Sequence, residues 1–240
     1  MNTMTDDLRV MTSGAFTAAY LDLIPRLELL TKKKIVTAAT SIGTGETSIP
    51  NRLQRGEAVD VVIVADGVLV GFIKDGLIMA DSYTPVARSA IAMAVRAGAP
   101  KPDIGTVDAL KRTLLQAKSI AYSASVSGEY LTTELYQRLG ITDQVMNKSR
   151  LIGGGERVGA VVARGEAEIG FQQLSESLPV PGIDHVTPLP AEVQKVSVFS
   201  AGVAASTSDS DAARAIVRFL SSPEAADAIT KSGLEPIGNR

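Results

Sequence analysis

Short apolar runs alternate with longer stretches of helical periodicity along the first third of the chain. Leu8–Met11 and Ile35–Ala39 are short apolar runs, and Val59–Ala65 (VDVVIVA) is apolar on both faces, as expected of buried parallel strands. Between the first two runs, apolar residues from Phe16 to Leu30 recur at helical spacing, and a second helix is predicted to end at Arg55. This alternation of strands and helices predicts an α/β fold.

The same alternation resumes after about residue 86 and predicts a second α/β lobe. The elements predicted there are the strands Ala87–Arg96, Ser119–Ser123, Arg150–Ile152 and Glu168–Gln172 and the helices Thr106–Gln116, Ser127–Leu139 and Arg157–Ala163. Val196–Ala205 is a long apolar strand, followed by the helices Ser210–Leu220 and Pro223–Ser232. The Pro-rich segment Leu178–Pro190, which contains the single histidine, His185, is predicted to be a surface loop.

The composition is that of an ordinary globular protein. The chain has 240 residues, 45% hydrophobic and 21% charged, which suffices for one large domain or two small lobes. It contains no cysteine and one histidine, so disulfides, thiolate catalysis and thiolate-bound metal clusters are excluded, and a histidine-ligated metal or a Ser-His-Asp triad is not expected. We therefore predict no metal and no other cofactor.

Charge and hydropathy exclude two classes of partner. The net charge is −2 and only 4% of residues are aromatic, whereas nucleic-acid binding favours a basic face interleaved with aromatic rings, so no nucleic acid is expected. No apolar run is long enough for membrane insertion. The first residues, MNTMTDDLRV, lead directly into a strand without a basic start or an apolar stretch, which predicts a cytoplasmic protein, or a periplasmic one if a leader has been removed.

Four loops between a predicted strand and a helix carry small hydroxyl or glycine residues. They are Ser13-Gly14, Ser41–Gly45, Ser123–Gly128 and Gly153–Arg157. Ligands of parallel sheets bind beyond the carboxyl ends of strands, and helix N-termini offer unpaired N–H groups to anions, so the loops together predict one anion site. The candidate binding residues on these loops are Ser13, Gly14, Ser41, Thr44, Gly45, Ser125, Ser127, Gly155 and Arg157. Taken singly, each loop is also explained as a helix cap with a turn.

Three charged residues on these loops have alternative explanations. Arg157 follows three glycines and is placed to bind a carboxylate or oxyanion bidentately, or to face solvent in the first turn of a helix. Glu129 and Glu156 suit first-turn positions through the helix dipole alone. If the chain is an enzyme, either glutamate is a candidate base for proton transfer.

Several segments resemble the molybdate-type family of periplasmic solute-binding proteins. They are LRVMTSGAFTAAYLDLIPRLE, ATSIGTGETSIPNRLQRGEAVDVVIVAD, GERVGAVVARGEAEIGFQQ and VSVFSAGVAASTSDSDAARAIVRFLSSPEAADAITKSGLEP. The last is the most specific, with a returning strand, a helix, an SSPEA joint and a final helix that ends in glycine. The resemblance covers nearly the whole chain after residue 7.

This resemblance implies the two-lobed type II periplasmic-binding fold. Lobe 1 would comprise residues 1–86 and 200–240 and lobe 2 residues 87–199, with hinge strands near Ala87–Arg96 and Val196–Ala205 and an anion held in the cleft between the lobes. In this family the anion is held by hydroxyl and backbone N–H groups from loops at strand ends. The matching positions here are Ser13 for the first loop, Ser41 or Thr44 for the second, Ser125–Ser127 for the third and, loosely, Glu156–Val158 for the fourth.

One departure from the family pattern concerns the ligand. Where the family has a tyrosine at the end of a strand, this chain has Gln172 and Gln173, which makes Gln172 a candidate ligand residue. With Arg157, the change leaves the choice between an oxyanion and a small polycarboxylate open. Aconitate isomerases resemble the same solute-binding proteins, so the alternative function is allylic proton transfer on an unsaturated di- or tricarboxylate. A transporter permease would be a partner only if the protein is exported.

Overall fold

The computed structural model divides the chain into two compact units. It describes residues 7–39, 45–153, 155–186 and 189–238. The first unit comprises Met1–Arg88 and Val198–Arg240, and the second comprises Ser89–Ser197. Ser41 and Thr44, which the sequence places in the second binding loop, lie outside the described residues.

Strands and helices alternate through both units, as the sequence predicts. The strands are β1 (Leu8–Thr12), β2 (Ile35–Ala39), β3 (Val61–Ala65), β4 (Thr84–Arg96), β5 (Ile120–Ser123), β6 (Ser149–Ile152), β7 (Ile169–Gln173), β8 (Ile183–Val186), β9 (Val196–Val203) and β10 (Glu235–Pro236). The helices are α1 (Gly14–Thr31), α2 (Ile49–Gln54), α3 (Asp66–Lys74), α4 (Val107–Gln116), α5 (Val126–Tyr130), α6 (Tyr136–Arg138), α7 (Thr142–Val145), α8 (Val158–Ala163), α9 (Leu174–Ser177), α10 (Ser210–Leu220) and α11 (Ala226–Lys231). A π-helical turn, Leu131–Leu135, joins α5 to α6.

The first unit is a mixed sheet covered by amphipathic helices. Strand β1 is parallel to β2 and β3, β3 is antiparallel to β9, and β10 pairs with the start of β4. Helix α10 turns Ala213, Ile216 and Leu220 inward at helical spacing, and all three are buried. This periodicity explains why the predicted bounds of α10 coincide with the observed ones.

The second unit has a parallel group of strands next to an antiparallel group. Strand β5 is parallel to β6 and β7, and β4 is antiparallel to β7 and β8. Most of the large buried apolar side chains of this unit form one cluster, which includes Phe171, Leu110 and Tyr136. The α/β fold class predicted from the sequence is confirmed. Strands β4 and β9 each contain residues of both units, and their role as hinges stays a prediction.

The Pro-rich segment is more ordered than the sequence predicts. Strand β8 runs through it and places His185 opposite Ala94 of β4, so the predicted surface loop is wrong at this point. The Nε2 atom of His185 is buried and makes no hydrogen bond within the described residues. The prolines flank the strand rather than interrupt it, and a strand this short shows too little alternation to be recognised.

The described part of the chain has no helix with both the length and the apolar composition needed to cross a bilayer.

Gly128 allows the start of α5 to lie directly against the end of β5. A Cβ atom at this position would lie 1.8 Å from the carbonyl oxygen of Ser123, a distance that no side chain tolerates. Gly71, in the interior of α3, has open space around the same position. The two helical glycines therefore differ in their surroundings and not in their secondary structure.

We expect Gly128→Ala to lower the free energy of unfolding by about 1–3 kcal/mol, because the added methyl group forces apart two backbone segments. Gly71→Ala is the matched control, and it should leave stability unchanged or raise it by about 0.5–1 kcal/mol, since alanine favours a helix. Urea denaturation followed by circular dichroism measures both. Equal effects of the two substitutions would contradict the close approach at Gly128.

Candidate functional site

The parallel strands β6, β5 and β7 end at the same edge of the second unit. Tyr122 of β5 pairs with Phe171 of β7, and Ser123 pairs with Ile152 of β6, so the three strands end almost level. The described segments that follow are Ser123–Ser127, Gly155–Arg157 and Gln172–Glu176, and we call them together the carboxyl edge. Two of them are loops that the sequence predicts to bind an anion, and the third brings in Gln172.

Three serine hydroxyl groups form a cluster in the first segment of the carboxyl edge. The Oγ atoms of Ser123, Ser125 and Ser127 lie 2.8, 3.0 and 3.2 Å apart pairwise. Ser123 and Ser127 are buried, whereas Ser125 is partly exposed. Ser125 is the N-cap of α5, yet its side chain makes no capping hydrogen bond. Each hydroxyl has one donor and two acceptor sites, so the cluster can direct an O–H group from Ser125 towards a ligand.

The end of β7 carries two buried glutamine side chains. Gln172 and Gln173 are 6% and 1% exposed, and the Oε1 atom of each lacks a hydrogen-bond partner within the described residues. The Nε2 group of Gln173 donates a hydrogen bond to Ser197 Oγ at 3.2 Å. Buried amide oxygens are normally paired, and as acceptors these two would need a hydrogen-bond donor from another group.

Helix α8 covers the face of β7 on which Gln172 lies. Gly170 is in close contact with Val158 and Val162 of this helix: a Cβ atom at Gly170 would lie 2.5 and 2.7 Å from their methyl groups. Side chains two residues apart on a strand point to the same face, so Gln172 also points towards the α8 side. Arg157 is the N-cap of α8. The Gln172 side chain and the start of α8 therefore lie on the same side of the sheet, and Arg157 is exposed there.

Glu176 is the titratable residue of the third segment of the carboxyl edge. It lies in α9, and its Oε2 atom is buried without a hydrogen-bond partner among the described residues. Burial raises the pKa of Glu176 to about 7, because desolvation disfavours the carboxylate. Hydrogen bonding from the Gln172 side chain, the positive charge of Arg157 and hydrogen bonding from the backbone of Gln173 act in the opposite direction and lower this pKa.

Glu176 was missed in the sequence analysis. Its only signal is an acidic residue shortly after a strand whose end carries Gln172 and Gln173. An acid in such a place is ordinarily solvated, so the pattern does not distinguish it from a surface residue.

The two glutamates that the sequence selects as candidate bases are exposed. Glu129 is exposed in the first turn of α5. Glu156 is also exposed and forms an ion pair with Arg164 at 2.5 Å. Neither carboxylate is desolvated in the way that Glu176 is. Gly155, in the same loop as Glu156, has a φ of 84°, a left-handed conformation that glycine adopts without strain.

The first unit has a polar group of its own at the start of α1. The N–H group of Ser13 donates to the Ile63 carbonyl at 2.8 Å, while its Oγ is buried and unpaired within the described residues. Ser13 is the N-cap of the helix, which begins at Gly14, but its side chain does not cap it. Ser48, at the start of α2, is also buried, and its Oγ has no partner among the described residues; no sequence pattern singles it out. Ser13 stays a predicted ligand donor.

The remaining glycine among the predicted site residues is Gly45. Its carbonyl accepts hydrogen bonds from the Ser48 N–H at 2.9 Å and from the Asn51 side chain at 3.1 Å. Among the described residues, no group of three histidine, cysteine, aspartate or glutamate side chains is placed to hold a metal ion.

The chain is similar to a family of known proteins and to a characterised enzyme. The model of the bacterial extracellular solute-binding protein family matches residues 8–235. An aconitate isomerase from Pseudomonas sp. is 45% identical over 231 residues, which is 96% of this chain and 88% of that protein.

Two solved structures share the fold at low identity. The periplasmic molybdate-binding protein of Azotobacter vinelandii is 20% identical with a TM-score of 0.75, over 95% of this chain and 98% of that one. The sulfate-binding protein SubI of Mycobacterium tuberculosis H37Rv is 17% identical with a TM-score of 0.75, over 96% and 87%. The resemblance to molybdate-type proteins and the predicted type II periplasmic-binding fold are thereby confirmed. The chain belongs to the bacterial extracellular solute-binding protein family.

Proposed function

We propose that this protein isomerises aconitate by moving an allylic proton. The observation that carries the proposal is that the segments at one edge of the sheet carry both groups able to donate hydrogen bonds to an anion and a titratable carboxyl group. Ser125, Gln172 and Arg157 supply a hydroxyl, an amide and a guanidinium, and Glu176 is the carboxyl group. The 45% identity with an aconitate isomerase, over nearly the whole chain, supports the same assignment.

Isomerisation of aconitate needs both hydrogen-bond donors and a group that transfers a proton. Aconitate has a methylene group next to both a carboxylate and a carbon–carbon double bond. Removal of a methylene proton leaves an anion delocalised over three carbons and the adjacent carboxylates, and return of the proton at the other end shifts the double bond. Hydrogen-bond donors fixed in place stabilise the charge that develops on the carboxylate oxygens. A group that titrates near neutral pH is suited to remove and return the proton.

Solute binding without turnover is the second candidate function. It is favoured by the family to which the chain belongs and by the fold it shares with molybdate-binding and sulfate-binding proteins. Serine hydroxyl groups such as those at the carboxyl edge would bind an oxyanion or a carboxylate through the same type of hydrogen bond. The two candidates differ in whether the bound ligand exchanges a carbon-bound proton.

We expect the wild-type protein in heavy water to introduce deuterium at the allylic positions of cis-aconitate and to release the trans isomer. Proton NMR follows both changes, and heat-unfolded protein serves as the control. A thermal-shift series with molybdate, tungstate, sulfate and phosphate tests the second candidate in parallel. Tight binding of aconitate or an oxyanion, with no exchange over hours, would contradict the isomerase and support solute binding.

We expect Ser125→Ala to weaken aconitate binding about ten- to hundredfold, because a hydrogen bond to a charged ligand contributes about 1.5–3 kcal/mol. Isothermal titration calorimetry measures the Kd. Ser221→Ala is the matched control, since that hydroxyl donates to the Arg218 carbonyl in the first unit and should leave affinity unchanged. Equal affinities of the wild type and Ser125→Ala would remove this hydroxyl from the site.

A further inference from the structure

Four polar groups with unpaired atoms are concentrated at the end of β7. The Oε1 atoms of Gln172 and Gln173, the Oγ of Ser175 and the Oε2 of Glu176 are all buried without hydrogen-bond partners among the described residues. Only one of these groups can take up and release a proton near neutral pH, and that group is the Glu176 carboxyl.

We propose that Glu176 is the catalytic residue that takes the allylic proton from one carbon of the substrate and returns it to the other. This inference rests on the proposed isomerase function and assigns its acid–base residue. It replaces Glu129 and Glu156, which the sequence alone suggests and which the structure leaves exposed.

Three polar groups affect the ionisation of the Glu176 carboxyl. Gln172 lies on the same face of β7 as the contacts with α8, and its side chain lowers the pKa of the Glu176 carboxyl, against the larger effect of burial. The positive charge of Arg157, at the start of α8, and the backbone of Gln173 also lower the pKa of Glu176. The Oε2 atom is buried and has no hydrogen-bond partner among the described residues, so its hydrogen-bonding capacity is not used by them.

The proton transfer balances without any further reactant. In the first step the substrate C–H bond breaks, its proton forms an O–H bond on the Glu176 carboxylate, and its electron pair enters the allylic system. In the second step that O–H bond breaks, and the proton forms a C–H bond at the opposite carbon of the allylic system. Charge on the substrate carboxylates peaks between the steps, where Arg157 and the serine hydroxyls stabilise it.

The ionisation of Glu176 determines how the exchange rate should change with pH. Burial raises its pKa to about 7, and only the ionised form accepts the substrate proton. The exchange rate at low substrate concentration should therefore fall as the pH drops through about 7 and level off above it. A purely structural role of this side chain would not give the wild type such a profile.

The test compares Glu176→Gln with wild type and with Glu168→Gln, a substitution of the same type just before the opposite end of β7. The Glu168 carboxylate accepts a hydrogen bond from the Lys118 N–H. Deuterium exchange into cis-aconitate is measured by NMR, and the Kd for aconitate by calorimetry. We expect Glu176→Gln to lose about 10²–10⁴-fold in exchange rate while it still binds aconitate, and Glu168→Gln to exchange like wild type.

The outcomes separate this inference from the function on which it rests. If the wild type shows no exchange, the isomerase proposal fails and the role of Glu176 fails with it. If the wild type exchanges and Glu176→Gln retains that rate, only the role of Glu176 is overturned, and loss of exchange in Glu129→Gln or Glu156→Gln would then identify the base. Should Glu176→Gln fail to fold, the pH profile of the wild type decides, and a rate independent of pH from 5 to 9 would overturn the inference.

Discussion

The parallel register of β5 with β6 and β7 is the constraint on which the carboxyl edge depends. Parallel strands that end level place the segments after them at one edge of the sheet, which antiparallel pairing would not do. A slip of one residue would turn Gln172 to the opposite face, away from α8. Gly128 and Gly170 allow this arrangement, because a side chain at either position would push a helix off the sheet.

The second unit is stabilised by its apolar core and not by the polar residues of the carboxyl edge. Its apolar cluster contains large, fully buried side chains such as Phe171 and Tyr136. By contrast, each buried and unpaired polar group at the end of β7 costs about 1–3 kcal/mol of stability. Buried polar atoms are usually paired, and departures from this rule are expected where a protein binds or transforms a ligand. Several such atoms within residues 172–176 are therefore a stronger functional indication than any single serine loop.

The sequence predicts most of the fold because the pattern of apolar residues determines it directly. Ile35–Ala39 and Ser210–Leu220 were predicted with the observed bounds, the first as an apolar run and the second as an amphipathic period. The strand that contains His185 is not predicted, because the nearby prolines indicate a loop and four residues show too little alternation of apolar and polar positions to indicate a strand. The serine-containing loop at Ser125 was found because a strand followed by small polar residues and a helix is a local pattern. The desolvation of Glu176 was not found, since it results from packing between segments that are separate in the sequence.

The position of Glu176 also bears on the choice between binding and catalysis. A protein that only binds an anion is best served by neutral donors and cations, because an ionised carboxylate nearby repels the ligand and lowers affinity. Burial raises the pKa of Glu176 to about 7, and the positive charge of Arg157 lowers it. In its ionised form such a residue opposes retention of an oxyanion, and in its neutral form it can donate a hydrogen bond to one. It is an advantage when the bound anion must lose a proton from carbon, since a desolvated carboxylate is a stronger base than a solvated one. A neutral carboxyl group can donate a hydrogen bond to a bound anion, and an ionised one can accept a proton from carbon. The proposed proton transfer uses the second property.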